Sequence, residues 1–205
     1  EALLALGEGA ESRFDLLFHD YFALSPSYTL LGLDGQFHCV TPAGEEVQAD
    51  ASQSFDRPGQ PAVTLTEWRQ SWGRLVDAAD RLVTFSASSA GHVRAAYPRA
   101  ADKIVVQPHH LLTPVPKLSP PRDGRRTIGV LGNIGHAKGA AVVAALGRRL
   151  TGPSAPRLVV LGNVDPNYPP PPSVRVHGDY RIEDLPALAR SYNISAWLIP
   201  TSLPK

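Results

Sequence analysis

From residue 127 onward, short apolar runs alternate with helical patterns. Thr127–Leu131, Arg157–Leu161, Val174–His177 and Ile194–Ile199 read as strands, and Gly139–Leu150 and Glu183–Tyr192 as helices. Pro186 is compatible with the second helix because it falls in its first turn. Continuous apolar strands separated by helices predict a parallel sheet covered on both faces.

The first half is less regular. Phe14–His19 reads as a buried strand, and residues 20–60 as irregular, with a hairpin-like turn at Leu33-Asp34-Gly35-Gln36. Residues 66–79 place Trp68, Trp72, Leu75, Val76 and Ala79 at helical spacing. Arg81–Phe85 reads as a strand, and Ser86 or Ser88 can cap a helix that stops before Pro98. Another strand begins at Lys103. Residues 107–126 hold five prolines and little periodicity, which predicts a linker between two domains.

The chain has 205 residues, 43% of them hydrophobic, enough for one large domain or two small ones. Twenty basic residues stand against 19 acidic ones, for a net charge of +1, so a duplex-binding surface is not expected. Cys39 is the only cysteine, which excludes an internal disulfide and a cysteine metal site, and fits a cytoplasmic location. No apolar run approaches the ~18–20 residues of a membrane span. The absence of methionine and the abrupt start and finish predict a piece of a longer protein.

The richest local feature is IGVLGNIGHAKG, residues 128–139. An apolar strand feeds a glycine-rich loop ending at Lys138-Gly139, and a helix follows. In a parallel sheet, ligands sit at the carboxyl ends of the strands. The N-terminus of the next helix aims free N–H groups and a positive dipole end at the same place, which suits phosphate. The loop is neither of two familiar phosphate binders. Lys138 is preceded by Ala137 and followed by Gly139, so the G-x-x-x-x-G-K-[ST] pattern fails. Gly129, Gly132, Gly135 and Gly139 do not form G-x-G-x-x-G, and Leu161-Gly162-Asn163 stands where an acidic ribose-binding residue would end the second strand. A tight turn that needs glycine, with Lys138 solvated, explains the loop equally well at this level.

The stretch from Thr127 to Thr201 resembles the donor-binding half of GT-B glycosyltransferases of the retaining family-4 type. Their first loop has the form G-R-x-x-x-x-K-G. Gly132, Lys138 and Gly139 match it, while Asn133 replaces the arginine. The resemblance implies that Gly132, Asn133, Lys138 and Gly139 hold the diphosphate of a nucleotide-sugar. It also implies that Gly178, Asp179 and Tyr180 lie by the base and that Pro200 and Thr201 approach the sugar. The family's paired-glutamate segment would fall beyond Lys205, so this segment alone is expected to be inactive.

In the first half, Phe18-His19-Asp20-Tyr21 and the following SPSYTLLGLDGQFHC resemble polysaccharide-assembling members of the same family. By that resemblance His19 faces the cleft, with Asp20 beside it as a catalytic neighbour. His109-His110 is expected to be structural or exposed.

The resemblance thus implies an α/β fold with two Rossmann-like domains of GT-B type, both incomplete. Residues 1–110 would be the C-terminal part of an acceptor-side domain, 111–126 the linker, and 127–205 the start of the donor-binding domain. The implied reaction is metal-independent, retaining transfer from a nucleotide-diphosphate sugar to a glycan or lipid-linked acceptor. No cofactor is implied, the absence of an Asp-x-Asp motif agrees with metal independence, and peripheral membrane contact would be permitted. The alternative is a non-catalytic nucleotide- or sugar-binding α/β module.

Overall fold

The computed structural model describes residues 13–46, 55–110, 116–121 and 124–201. They fall into two compact units that divide after His110. Both are mixed α/β, each built on a parallel sheet.

In the first unit, β1 (Asp15–Leu17), β4 (Arg81–Thr84) and β5 (Ile104–Val106) form a three-stranded sheet with β4 in the middle. An antiparallel pair, β2 (Phe55–Arg57) and β3 (Gln60–Val63), stands apart from it. Helix α1 (Leu65–Ala78) begins with a capping box: Thr64 accepts from the Glu67 N–H, and Glu67 reaches back to the Thr64 N–H. Ser86, rather than Ser88, caps α2 (Ala87–Ala96) by accepting from the Ser89 N–H, and a 3-10 turn over Pro98–Lys103 leads into β5. Leu82 and Val93 are fully buried between the sheet and these helices, together with Val76 and Leu24.

Residues 18–46 are irregular, as expected, with a turn at Gly32–Gln36 closed by the Leu31–Phe37 bridge. Without ladder partners, their carbonyls take donors from elsewhere. Trp68 Nε1 donates to the Phe22 carbonyl at 2.7 Å, and the Tyr97 hydroxyl donates to that of Ala23. Arg69, 5% exposed, donates to the carbonyls of Leu24 at 2.9 Å and Thr41 at 2.6 Å and pairs with Glu46. Desolvation lowers the Arg69 pKa from its ordinary value, and the neighbouring Glu46 opposes that effect.

In the second unit, β6 (Thr127–Leu131), β7 (Arg157–Leu161), β8 (Val174–Val176) and β9 (Ile194–Leu198) are all parallel, in the order β8-β7-β6-β9. Helix α3 (Ala140–Arg149) connects β6 to β7, and α4 (Leu185–Ser191) connects β8 to β9. The expected helix over Glu183–Tyr192 is shorter and starts differently: Ile182–Asp184 is a 3-10 turn and the α-helix begins at Leu185, next to Pro186. Strand side chains alternate between two cores. Val130, Leu158 and Val160 pack with Val143 of α3, while Val159, Leu161 and Ile194 pack with Ala189 of α4. Both sheet faces are therefore covered, one by each helix.

This order has a consequence for binding. The chain leaves β6, builds β7 and β8 on one side, then returns to place β9 on the other. The carboxyl ends of β6 and β9 thus form a topological switch point, the place where ligands sit in open parallel sheets.

Candidate functional site

The loop after β6 is held by its neighbours before it reaches α3. The Gly132 N–H donates to the Leu161 carbonyl at 2.9 Å, and the Ile134 N–H to that of Asn163 at 2.8 Å. Ile134 is buried and bridges Val164, so this loop runs beside the loop after β7. The two backbones touch at glycines: a Cβ on Gly162 would lie 2.6 Å from the Gly132 carbonyl carbon, and φ there is +129°. Only glycine fits.

The loop then turns through residues 136–139 into α3. Gly139 is the N-cap in left-handed geometry (φ +80°), and no side chain among the described residues caps the helix. Among the described residues the first-turn N–H groups have no side-chain acceptor, so the positive end of the helix stands uncapped at the carboxyl edge of the sheet. A Cβ on Gly139 would come within 2.7 Å of the Pro200 carbonyl carbon, so the start of α3 and the loop after β9 are in contact. Lys138 is exposed and forms no ion pair among the described residues.

A chain of polar side chains joins three loops at this edge. Asn133 Oδ1 accepts from the N–H and the side-chain amide of Asn163, both at 3.4 Å. The same Asn163 amide donates to Asp179 Oδ1 at 2.6 Å. Gly178 bridges Gly162 and donates its N–H to that carbonyl at 3.1 Å. Gly132, Asn133, Gly178 and Asp179 are thus brought together through Gly162 and Asn163. Gly139 and Pro200 meet, with Lys138 and Thr201 adjoining them in sequence. Tyr180 differs, being half-buried in the core on the α4 side.

His19 and Asp20 belong to the first unit. His19 is exposed just after β1, its ring 4.9 Å from Phe85 and 6.1 Å from His109. Asp20 Oδ1 accepts from the Phe22 N–H at 2.9 Å, so this carboxylate holds the turn that carries His19. His109 is exposed, as expected, and also stacks face to face on Phe85 at 3.9 Å. Nearby, the Tyr21 hydroxyl meets Ser89 at 3.1 Å, and the Tyr21 ring lies edge-on to His92. Burial lowers the His92 pKa, and its Nε2 is buried without a hydrogen-bond partner among the described residues.

Sequence reasoning passed over Asn163, which links the loops, and His136, which bonds Tyr168 at 2.8 Å and ties the glycine loop to the proline loop. The available signal for Asn163 was its place directly after a strand-ending glycine. Phe85 was read only as the end of a strand. Among the described residues, no three His, Cys, Asp or Glu side chains lie close enough to hold a metal ion, and no helix is long and apolar enough to cross a membrane.

No protein-family model and no curated protein matches this chain.

Proposed function

We propose that the chain is the hinge-side portion of a GT-B glycosyltransferase of the retaining family-4 type. It would transfer a sugar from a nucleotide-diphosphate sugar to a glycan or lipid-linked acceptor in the cytoplasm, during cell-surface polysaccharide assembly. The observation carrying this reading is the switch point at the carboxyl ends of β6 and β9, where the exposed Lys138, with no ion pair among the described residues, adjoins a helix N-terminus that has no side-chain cap among them. Breaking the bond to a nucleoside diphosphate builds negative charge on the leaving phosphate. A cation and fixed backbone dipoles aimed at that charge stabilise it without a metal.

Other residues take roles consistent with this reading. Asn163 fixes the loop tips that would flank the diphosphate and the nucleoside. His19 would meet the sugar from the acceptor-side unit, with Asp20 holding its turn rather than exchanging protons. A non-catalytic nucleotide-binding module is the second reading. It is favoured by Asn133, whose side-chain oxygen is directed to Asn163 and which brings no charge to the loop.

Calorimetric titration with UDP, GDP, dTDP and ADP tests the shared premise. At least one should bind, and Lys138→Ala should weaken it by about 1–3 kcal/mol, the range for a charge-assisted contact. If none of the four binds either to this segment or to a chain extended past Lys205, or if the variant binds as well as the parent, the diphosphate cradle is wrong. Release of free sugar from the matching nucleotide-sugar, measured on a longer chain extended past Lys205, then separates the catalytic reading from the binding-only one.

A further inference from the structure

The edge of the second sheet opposite the glycine loop carries a different chemistry. Arg125 and Arg126 directly precede β6, Arg157 opens β7, and Arg175 lies within β8. Arg148 and Arg149 end α3, and Arg190 lies in the last turn of α4. Parallel strands all start at this edge, and both helices finish there, so the topology collects these arginines at one pole. The described acidic residues of this unit go the other way. Asp165 and Asp179 follow strands, and Glu183 and Asp184 precede α4, which places all four at the carboxyl edge.

At the basic pole is a cavity of about 480 Å³, lined by Arg125, Arg157, Arg175, Ser173, Ser191 and Asn193 among others, with no carboxylate among the described residues of its wall. That volume lies within the roughly 300–1,000 Å³ usual for small-ligand sites. Arg125 already serves the fold, donating to the carbonyls of Ala155 and Gly152. Arg157 and Arg175 do not: both are exposed, and neither guanidinium has a hydrogen-bond or ion-pair partner among the described residues. They stand on hydrogen-bonded neighbouring strands, with Arg175 opposite Val159. The carboxyl ends of α3 and α4 add partial negative charge here, about half a unit each. Three guanidinium groups outweigh them.

We propose that this cavity is an anion site for a phosphate group, held between the Arg157 and Arg175 guanidiniums, with the Asn193 side-chain amide supplying a further donor while the Ser173 and Ser191 hydroxyls are committed to the Gly147 and Leu188 carbonyls. Planar guanidiniums bind phosphate oxygens in pairs, which suits this use better than lysine would. The site lies at the pole opposite Lys138 and does not depend on the donor-site reading. The phosphate has two chemical sources: a small free phosphate compound, or the headgroup of an anionic lipid that draws the flanking Arg148 and Arg149 to a bilayer surface.

The test is a titration of the isotopically labelled chain with inorganic phosphate, followed through backbone amide shifts. A parallel arm measures sedimentation with phosphatidylglycerol–phosphatidylcholine vesicles against phosphatidylcholine alone. Saturable shifts at Ser173, Arg175, Ser191 and Asn193 that weaken tenfold or more in Arg157→Gln/Arg175→Gln establish the site for free phosphate. Binding only to the anionic vesicles, lost in the same variant, establishes it for a lipid headgroup. Arg157→Lys/Arg175→Lys keeps the charge and should recover part of either signal, which excludes misfolding as the cause. Shifts confined to Gly132–Gly139, or binding in neither arm, or binding indifferent to the glutamine variant, overturn the proposal.

Discussion

Arg69 shows how much one charged side chain can organise. It lies in the buried stripe of α1 between Leu65 and Val76, where periodicity calls for an apolar residue. Its guanidinium satisfies carbonyls of a segment that has no ladder of its own. Arg69→Met keeps the apolar stem and removes the donors. Each buried acceptor left unpaired costs about 1–3 kcal/mol, so the variant should lose about 3 kcal/mol in urea unfolding. A loss under about 1 kcal/mol would mean that water reaches those carbonyls. Nothing in the sequence marked Arg69, because a charged residue in an apolar stripe reads as a break in the pattern. His92 is a second case. Burial disfavours its charged form, so its pKa in the fold lies below the ordinary 6.5. Above that value the ring is neutral in both folded and unfolded chains and contributes no pH dependence. As pH falls through it, the unfolded chain takes up the proton first, and the fold loses stability. His92→Phe keeps the edge contacts with Tyr21 and Phe37 and should flatten the drop in melting temperature between pH 7.5 and 5. An unchanged slope would place the titration elsewhere.

At the scale of elements, the glycine loop is defined by its neighbours as much as by its own residues. Gly139→Ala would drive a methyl into the Pro200 carbonyl at a positive φ, separating the start of α3 from the loop after β9. Gly135→Ala meets nothing within 4 Å and is the matched control. The first should cost about 1–3 kcal/mol of stability and weaken nucleotide binding. The second should stay within about 0.5 kcal/mol of the parent. Equal behaviour of the two would show that this contact does not shape the loop. The strands of the second sheet were legible because a strand buried on both faces must be an unbroken apolar run. The pair Phe55–Arg57 and Gln60–Val63 was not, because it sits in a stretch read as irregular. The Pro58-Gly59 step between its strands was the usable turn signal. Asn163 was hidden for another reason. Its partners Asn133 and Asp179 lie 30 and 16 residues away, and no local pattern encodes a junction of three loops.

At the scale of the whole molecule, each unit has its own buried cluster: Leu82 and Val93 in one, Val130, Val160 and Leu161 in the other. The second unit, expressed from residue 116, should therefore melt cooperatively by circular dichroism. A broad, non-cooperative melt would mean that it draws stability from the first. The first unit carries a different kind of dependence. The Leu24 carbonyl finds its donor 45 residues later, at Arg69, and the Phe22 carbonyl 46 residues later, at Trp68. A ribosome delivers the N-terminal segment well before α1. Residues 18–46 must then remain hydrated while the rest of their unit is made, and they gain their fixed path only when α1 arrives to receive them. The order of manufacture is the reverse of the order of support.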